Sequence, residues 1–266
     1  MSGHPASREE SILLDRDGAI ATITLNRPAK MNALDGTAWA LLDSTLESVQ
    51  NDESILAVIL AGAGDNFCAG ADVSAPRTVS VHPLRRMRSI TDVVRRLFEL
   101  PVPTIARVDG AAVGAGWNIA LACDFIIASD RSRFSQIFGR RGLSVDCGGS
   151  WLLPRVVGPQ VAKRLLYLAE MIPASEAAQL GLVLDLCPVE QLEQTVAEFA
   201  GRLAAVAPVA LAQNKALLNS SWTSTFAEQL VRENTAQVIN FGTDGAVARA
   251  ALAKGENPHF EGKWQL

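Results

Sequence analysis

Apolar residues in the first two thirds of the chain follow two alternating spacings, and this pattern predicts strands interleaved with helices. Short continuous apolar runs predict three buried strands, at 57–60, 104–108 and 125–128. Upstream, 12–14 and 19–25 are predicted to form a hairpin closed by the turn residues 15–18. The alternation of strands and helices across 55–186 indicates α/β units built on a largely parallel sheet.

Two stretches among these runs have helical spacing. Asp35 is placed to cap the first helix, whose apolar face comprises Trp39, Leu42, Leu46 and Val49. A second helix is predicted over 83–100, and its inward-facing residues are expected to be Leu84, Met87, Val94, Leu97 and Phe98. The segment 74–82, just before that helix, shows no periodicity and is expected to form a mobile flap.

The last part of the chain, from residue 189 onward, has a purely helical pattern. One apolar face there comprises Leu192, Val196, Phe199, Leu203 and Val206. Further helices are predicted at 209–219, 225–240 and 244–254. This change of pattern divides the chain into two predicted parts, an α/β core over 1–188 and a helical region over 189–266.

The composition sets limits on the class of protein and on its partners. With 266 residues, 48% of them hydrophobic and 20% charged, the chain resembles an ordinary soluble globular protein. A net charge of −4 gives no reason to expect a nucleic acid or an anionic membrane as partner. No apolar run approaches the ~18 residues of a membrane span, so no membrane segment is expected. The cysteine pattern gives no reason to expect a disulfide framework, so a reducing cytoplasm is the expected location. The four cysteines are scattered without a C-x-x-C pair, and no metal site is expected.

Two stretches share one plan, an apolar strand followed by a loop of very small residues. The first junction has Ala69, Gly70 and Ala71 after the strand at 57–60, and the second has Gly114, Ala115 and Gly116 after the strand at 104–108. Small residues let a ligand approach the backbone N–H groups, so two such donors can hold one carbonyl oxygen, as in an oxyanion hole. Small residues also serve simply to let a helix pack closely, and the pattern alone leaves both interpretations open.

The usual nucleotide and nucleophile motifs are missing. Ile119 stands where the third glycine of G-x-G-x-x-G would fall, and the nearest G-x-S-x-G stretch, 148–152, lacks its final glycine. The acids near the junctions remain as candidates, namely Asp65, Asp72, Asp109, Asp124 and Asp146. Asp146 differs from the others because it lies in a mostly apolar stretch just ahead of a helix. Desolvation there raises the pKa of a carboxyl, whereas the helix start lowers it.

Four motifs taken together, in order and over nearly the whole chain, resemble the crotonase (enoyl-CoA hydratase/isomerase) superfamily: 26–34, 67–72, 109–116 and 148–155. The resemblance implies a spiral α/β core of ββα units, a C-terminal helical trimerisation region, and a homotrimer or hexamer. It also implies an acyl-CoA thioester as ligand, with no separate cofactor because coenzyme A is part of the substrate. The implied oxyanion donors are the backbone N–H groups of Ala71 and Ala115. The implied substrate contacts are Lys30, Met31, Ala69, Gly70, Asp72, Gly114, Asn118 and Phe138.

This sequence also departs from the pattern of the hydratases in that superfamily. Asn118 and Phe138 stand where those enzymes have two glutamates, whereas Asp146 falls where certain isomerases and a dehalogenase keep an aspartate. The run 146–155 resembles the phenylacetate-pathway isomerase most closely. We therefore expect an enoyl-CoA isomerase that uses Asp146 as its single acid/base. The alternatives are an atypical hydratase, an aryl-CoA hydrolase or dehalogenase with an aspartate nucleophile, and a non-catalytic acyl-CoA binder.

Overall fold

The computed structural model describes residues 10–74, 82–260 and 262–263. The predicted flap at 74–82 lies outside the described residues except for its two end positions. Within the described residues the strands are β1 Ile12–Asp17, β2 Ile20–Leu25, β3 Ala57–Gly62, β4 Thr104–Val108, β5 Ala111–Val113, β6 Phe125–Ser129, β7 Arg133–Ser135, β8 Ile172–Pro173 and β9 Asp185–Cys187. The predicted strands are confirmed, although the hairpin turn is shorter than expected because β1 continues to Asp17.

The helices separate into those that cover the sheet and those that follow it. Their bounds are α1 Gly36–Gln50, α2 Pro83–Glu99, α3 Ala115–Ala122, α4 Gly149–Leu168, α5 Ala174–Gln179, α6 Leu192–Ala204, α7 Pro208–Ser221, α8 Phe226–Gly242 and α9 Asp244–Lys254. Asp35 caps α1 as predicted, because its side chain accepts a hydrogen bond from the Ala38 N–H at 2.9 Å. Within α4 the helical geometry breaks at Gly158, which has φ +75°.

The main sheet has the strand order β1-β2-β3-β4-β6-β9. All neighbours are parallel except β1 and β2, which form the hairpin, so the predicted largely parallel sheet is confirmed. A second sheet, β5-β7-β8, stands beside it. Its strand β5 leads directly into α3, and the Gly114 N–H donates to the carbonyl of Ser135 at 2.8 Å. The small sheet thereby fixes the start of α3.

Both faces of the main sheet are covered. On one face α1, α2 and α3 enclose the larger apolar core. On the other face α6 packs Leu192, Val196 and Ala200 against isoleucines of β3, β4 and β6. The helix α6 begins at Leu192, within the predicted C-terminal region, but it packs against the sheet of the predicted α/β core.

The prediction for α2 is only partly correct. Val94 and Leu97 are buried as expected, together with Ile90 and Val93. Leu84 and Met87 were expected to face inward but are 62% and 39% exposed. They lie in the first turns of the helix, which extend past the edge of the core. Helical spacing shows which residues share a face, but it does not show how far the core beneath that face reaches.

The three last helices contact one another more than they contact the core. The connection of α7 to the core includes Lys215, which is 8% exposed and whose Nζ lies 2.7 Å from the Asp124 carboxylate. Several large apolar residues remain exposed in the single chain, in α7, α8 and α9 and at Trp222 directly after α7: Leu218, Trp222, Phe226, Val231, Val238, Phe241 and Leu252. These helices leave uncovered an apolar surface that an isolated soluble chain rarely shows.

Candidate active site

The structure brings the two small-residue junctions into direct contact. The Val113 N–H donates to the Cys68 carbonyl, and the Cys68 N–H donates to the Ala111 carbonyl, both at 2.9 Å. Gly70 has φ +91°, and a Cβ atom added there would lie 2.8 Å from the Val113 oxygen and 3.4 Å from the Ala115 nitrogen. A side chain at this position would therefore separate the two loops. The glycine is needed because the two backbones meet.

Each junction offers one backbone donor that the protein itself does not use. Ala115 is the first residue of α3, so its N–H has no partner within the helix. At the first junction, the Gly70 carbonyl accepts from the Leu34 N–H, and the Asp72 N–H donates to the Leu34 carbonyl. The Ala71 N–H between them therefore points away from Leu34. Among the described residues, neither the Ala71 N–H nor the Ala115 N–H has a hydrogen-bond partner. Two free donors on touching loops fit the expected oxyanion hole.

The residues expected around the coenzyme A end lie together at the first junction. The Ala69 N–H donates to the Met31 carbonyl at 2.9 Å, and Lys30 Nζ lies 3.3 Å from the Ser74 hydroxyl. Lys30 is exposed, and Met31 is 51% exposed. The structure therefore places these side chains on an accessible surface next to Ala71.

The carboxylate of Asp72 is held by neighbouring polar side chains. Its carboxylate accepts hydrogen bonds from Ser74 and lies 3.0 Å from the Arg27 guanidinium, which also pairs with Asp35 at 2.8 Å. The Ser74 hydroxyl is the largest influence, and together with Arg27 it lowers the pKa of Asp72 to about 2. This carboxylate stays ionised and is engaged by Ser74 and Arg27, and the substrate contact expected of Asp72 stays a prediction.

Asp146 lies just before α4, beside the second junction. Its carboxyl is less engaged by neighbouring groups than that of Asp72. The residue is half-buried, and its Oδ1 atom is buried without a hydrogen-bond partner among the described residues. Burial raises the pKa of Asp146 above its ordinary value, and the neighbouring Cys147 thiol offsets this rise in pKa only in part. Of the two opposing influences expected from the sequence, desolvation prevails. One oxygen of this carboxyl therefore has no partner within the described part of the protein.

The two positions that lack glutamate have different surroundings. Phe138 is 6% exposed and lies against Gly114, so it places an aromatic ring beside the second junction. Asn118 is fully buried, and its side-chain N–H donates to the backbone carbonyl of Asp146 at 2.8 Å. Asn118 was expected to contact substrate, but its amide is engaged within the protein.

Comparison with known proteins identifies the family. The sequence profile described as "Enoyl-CoA hydratase/isomerase" matches residues 15–262. The chain belongs to the enoyl-CoA hydratase/isomerase family. The crotonase-type fold implied by the resemblance is thereby confirmed, including the α/β core and the C-terminal helices.

Members of the family that are similar to this chain have names of two kinds. A 1,2-epoxyphenylacetyl-CoA isomerase of Escherichia coli is 34% identical over 96% of this chain and 99% of that protein. A short-chain-enoyl-CoA hydratase of Clostridium acetobutylicum is 36% identical over 88% of this chain and 90% of that protein. The crystal structure of an enoyl-CoA hydratase from a Polaromonas species matches with a TM-score of 0.87 and 32% identity, over 94% of this chain and 99% of that one. The chain is thus an enzyme of this family, and the names do not choose between isomerase and hydratase.

Sequence reasoning missed two polar residues that shape this enoyl-CoA hydratase/isomerase site. Asn32 is 1% exposed, and its amide donates to the carbonyls of Ala63 and Asn66, which fixes the loop that leads to the first junction. Gln136 is fully buried, and its Nε2 donates to the Asn118 side-chain oxygen at 2.8 Å. Asn32 lies within the motif 26–34 and Gln136 lies two residues before Phe138, but neither sequence context reveals the partner of the buried amide.

Among the described residues, no single helix has the length and hydropathy needed to cross a membrane. One helix pair, Val189–Ala204 with Pro208–Ser221, meets that test only jointly and is bent by 103° at its break.

Proposed function

We propose that this enzyme shifts the double bond of an enoyl-CoA, with Asp146 as its only acid/base. The observation that carries the proposal is the buried Oδ1 atom of Asp146 beside the second junction, which has no hydrogen-bond partner among the described residues. A carboxyl with a raised pKa and an unpartnered oxygen is suited to exchanging a proton with a carbon acid. A scaffold without chemistry has no use for such a group, because an unpartnered buried oxygen costs stability.

In the proposed reaction, the two junctions stabilise the negative charge on the thioester oxygen, and Asp146 transfers the proton. The thioester oxygen accepts hydrogen bonds from the Ala71 and Ala115 N–H groups. Asp146 removes a proton from the carbon next to the thioester, and the electron pair moves onto the oxygen to form an extended enolate. The same carboxyl then returns its proton two carbons further along, which restores the thioester and moves the double bond. No second acid is needed.

Hydration is the second candidate, because relatives such as the Clostridium acetobutylicum protein are named hydratases. Adding water requires one group that activates the water and another that delivers a proton to carbon. At the two positions where the hydratases have glutamate, Asn118 cannot accept a proton and Phe138 is apolar. These residues favour isomerisation.

The test measures two reactions in the parent protein and in Asp146→Asn. We expect a Δ3-enoyl-CoA to be converted to its Δ2 isomer, with little hydration of crotonyl-CoA. Asp146→Asn should lower kcat for isomerisation by about 10²- to 10⁴-fold, and acyl-CoA affinity should change little. Hydratase activity that survives in Asp146→Asn would move the chemistry to another residue. A parent protein that binds acyl-CoA but isomerises no acyl chain would favour a binder or an aspartate nucleophile acting on an aryl thioester.

We also propose that the chain assembles as a homotrimer or a hexamer of two trimers. The support is the exposed apolar surface of α7, α8 and α9, where Phe226 is 81% and Leu252 is 79% exposed. Light scattering at micromolar concentration should give a mass of three or six chains. A monomer under those conditions would contradict this proposal.

A further inference from the structure

Two buried amide side chains connect the floor of the site to Asp146. Gln136 Nε2 donates to Asn118 Oδ1, and Asn118 Nδ2 donates to the Asp146 carbonyl, both at 2.8 Å. Gln136 and Asn118 are both 0% exposed. We refer to these two residues as the amide pair. It joins the segment after β7, the first turn of α3 and the loop before α4.

The backbone carbonyl of Asp146 determines how the two amide side chains are oriented. A backbone carbonyl can only accept a hydrogen bond, so Asn118 must direct its NH₂ group towards Asp146. The Asn118 oxygen then faces Gln136, which must direct its own NH₂ group towards it. A carboxylate at position 118 would set oxygen against the Asp146 carbonyl oxygen. The observed contact therefore requires the amide.

The loop that carries Asp146 needs this support because the backbone of the residue that follows Asp146 is strained. Cys147 has φ +49°, a left-handed conformation that residues with a side chain adopt uncommonly. The Asp146 carbonyl also accepts from the Gly149 N–H at 3.0 Å, so both of its lone pairs are used. A Cβ at Gly149 would lie 2.5 Å from the Asn118 amide, so the loop closes directly onto that side chain.

We propose that Asn118 and Gln136 are positioning residues that hold the backbone of Asp146, and through it the direction of the open carboxyl oxygen. The inference rests on the proposed function, since it concerns the same carboxyl. Asn118 lies three residues after Ala115, about 4.5 Å along the α3 axis. The helix that supplies one oxyanion donor therefore also fixes the acid/base at a set distance from it. The site thus combines one proposed acid/base with an amide support, where the hydratases of the superfamily have two glutamates.

Two substitutions remove this support while they keep the side-chain shapes similar. Gln136→Met removes the donor to Asn118, and Asn118→Asp replaces the donor to Asp146 with an oxygen. Each should lower kcat for isomerisation about 10- to 100-fold, because a displacement of about 1 Å in a catalytic group has effects of this size. KM should change little, since both side chains are fully buried and their NH₂ groups are engaged within the protein. Thr104→Val is the matched control. It removes a fully buried hydroxyl that bonds to Asp124 at 2.9 Å, and it should lower thermal stability but not kcat.

A double-mutant cycle separates positioning from general damage. If the amide pair acts only through the Asp146 carboxyl, Gln136→Met should have no further effect on the residual rate of Asp146→Asn. Losses that multiply in the double variant would show a structural effect unrelated to Asp146, and would overturn the inference. Circular dichroism and a melting curve of each variant establish that it is folded.

A readout independent of turnover distinguishes this inference from the proposed function. With carboxyl-¹³C aspartate, NMR titration reports the apparent pKa of Asp146 in the parent, Gln136→Met and Asn118→Asp. We expect both variants to shift this pKa. Full kcat in both variants, where Asp146→Asn is impaired, would refute the positioning role and leave the proposed function intact. If the parent isomerises nothing, the proposed function fails, and an unchanged Asp146 titration in both variants would refute the positioning role as well.

Discussion

Asp72 follows the first junction and Asp146 lies beside the second, so each loop of the site has its own carboxyl. Asp72 has its oxygens engaged by Ser74 and Arg27, and its pKa is lowered to about 2. Asp146 has one buried oxygen without a partner, and burial raises its pKa. The two residues are chemically identical, and both are near the backbone donors.

The difference shows that closeness to a site does not make a carboxyl catalytic. An acid/base needs an unpartnered oxygen and a pKa raised towards the working pH, and of these two carboxyls only Asp146 has both features. The first region uses its charge to hold Arg27, which also pairs with Asp35 at the start of α1. One loop therefore has a structural charge, and the other has the carboxyl that we propose to be the acid/base.

The largest expected effect concerns what the two junctions have in common, which is the backbone donor. Ala115→Pro removes the N–H of the first residue of α3, where proline is well tolerated, and Ala71→Pro removes the other donor. Each should lower kcat by about 10²- to 10³-fold, because one oxyanion donor contributes about 3 kcal/mol. Steady-state isomerisation assays of the folded variants give the comparison.

Ala115→Gly is the control for this prediction, since it keeps the N–H and changes only the side chain. It should retain most of the activity. Full turnover in a folded Ala115→Pro protein would remove that donor from the mechanism, and a loss at only one junction would show that the two loops are not equivalent.

The second prediction tests the structural charge. Asp72→Asn should lower the free energy of unfolding by about 1–2 kcal/mol at neutral pH, because a partly buried charge-assisted contact with Arg27 is lost. It should leave kcat nearly unchanged. The folded pKa, about 2, lies below the ordinary value of 3.8, so the stabilisation is present above the ordinary value and is lost as pH falls towards about 2. Urea unfolding of both proteins at several pH values measures this difference.

An Asp72→Asn protein with unchanged stability but much lower kcat would contradict the assignment. It would mean that the Asp72 carboxylate itself, and not only the backbone N–H of Ala71, takes part in turnover.

The elements of the fold were predictable because they depend on local periodicity. The strands at 57–60, 104–108 and 125–128 and the cap at Asp35 needed only short-range pattern. The exposure of Leu84 was not predictable, since it depends on where the core ends.

The candidate site divides in the same way. The small residues of the two junctions were visible as pattern, and the structure brings the two loops together. The hydrogen bonds of Asn118 with Gln136 and Asp146 join positions 18 and 28 residues apart, and no spacing rule connects buried amides over such separations. The position of the site was therefore predictable, but the support beneath Asp146 was not.

The smallest expected effect is a gain in stability from the substitution that removes the reactive charge. Because burial raises the folded pKa of Asp146, the folded state holds its proton more tightly than the unfolded state does. Stability therefore falls as pH rises through the interval above the ordinary value of 3.8, and remains lower at neutral pH. Asp146→Asn removes this penalty, so it should melt at a higher temperature than the parent at neutral pH, whereas Asp72→Asn should melt at a lower one.

The sign of this difference at two pH values is the decisive measurement. Below the ordinary pKa both states of the parent are protonated, so the advantage of Asp146→Asn over the parent should disappear there. A lower melting temperature for Asp146→Asn at neutral pH would mean that its carboxylate is stabilised by contacts, as that of Asp72 is. A higher melting temperature for Asp146→Asn at neutral pH would show that an ionisable carboxyl in this buried position costs stability, as is common where a residue is kept for function.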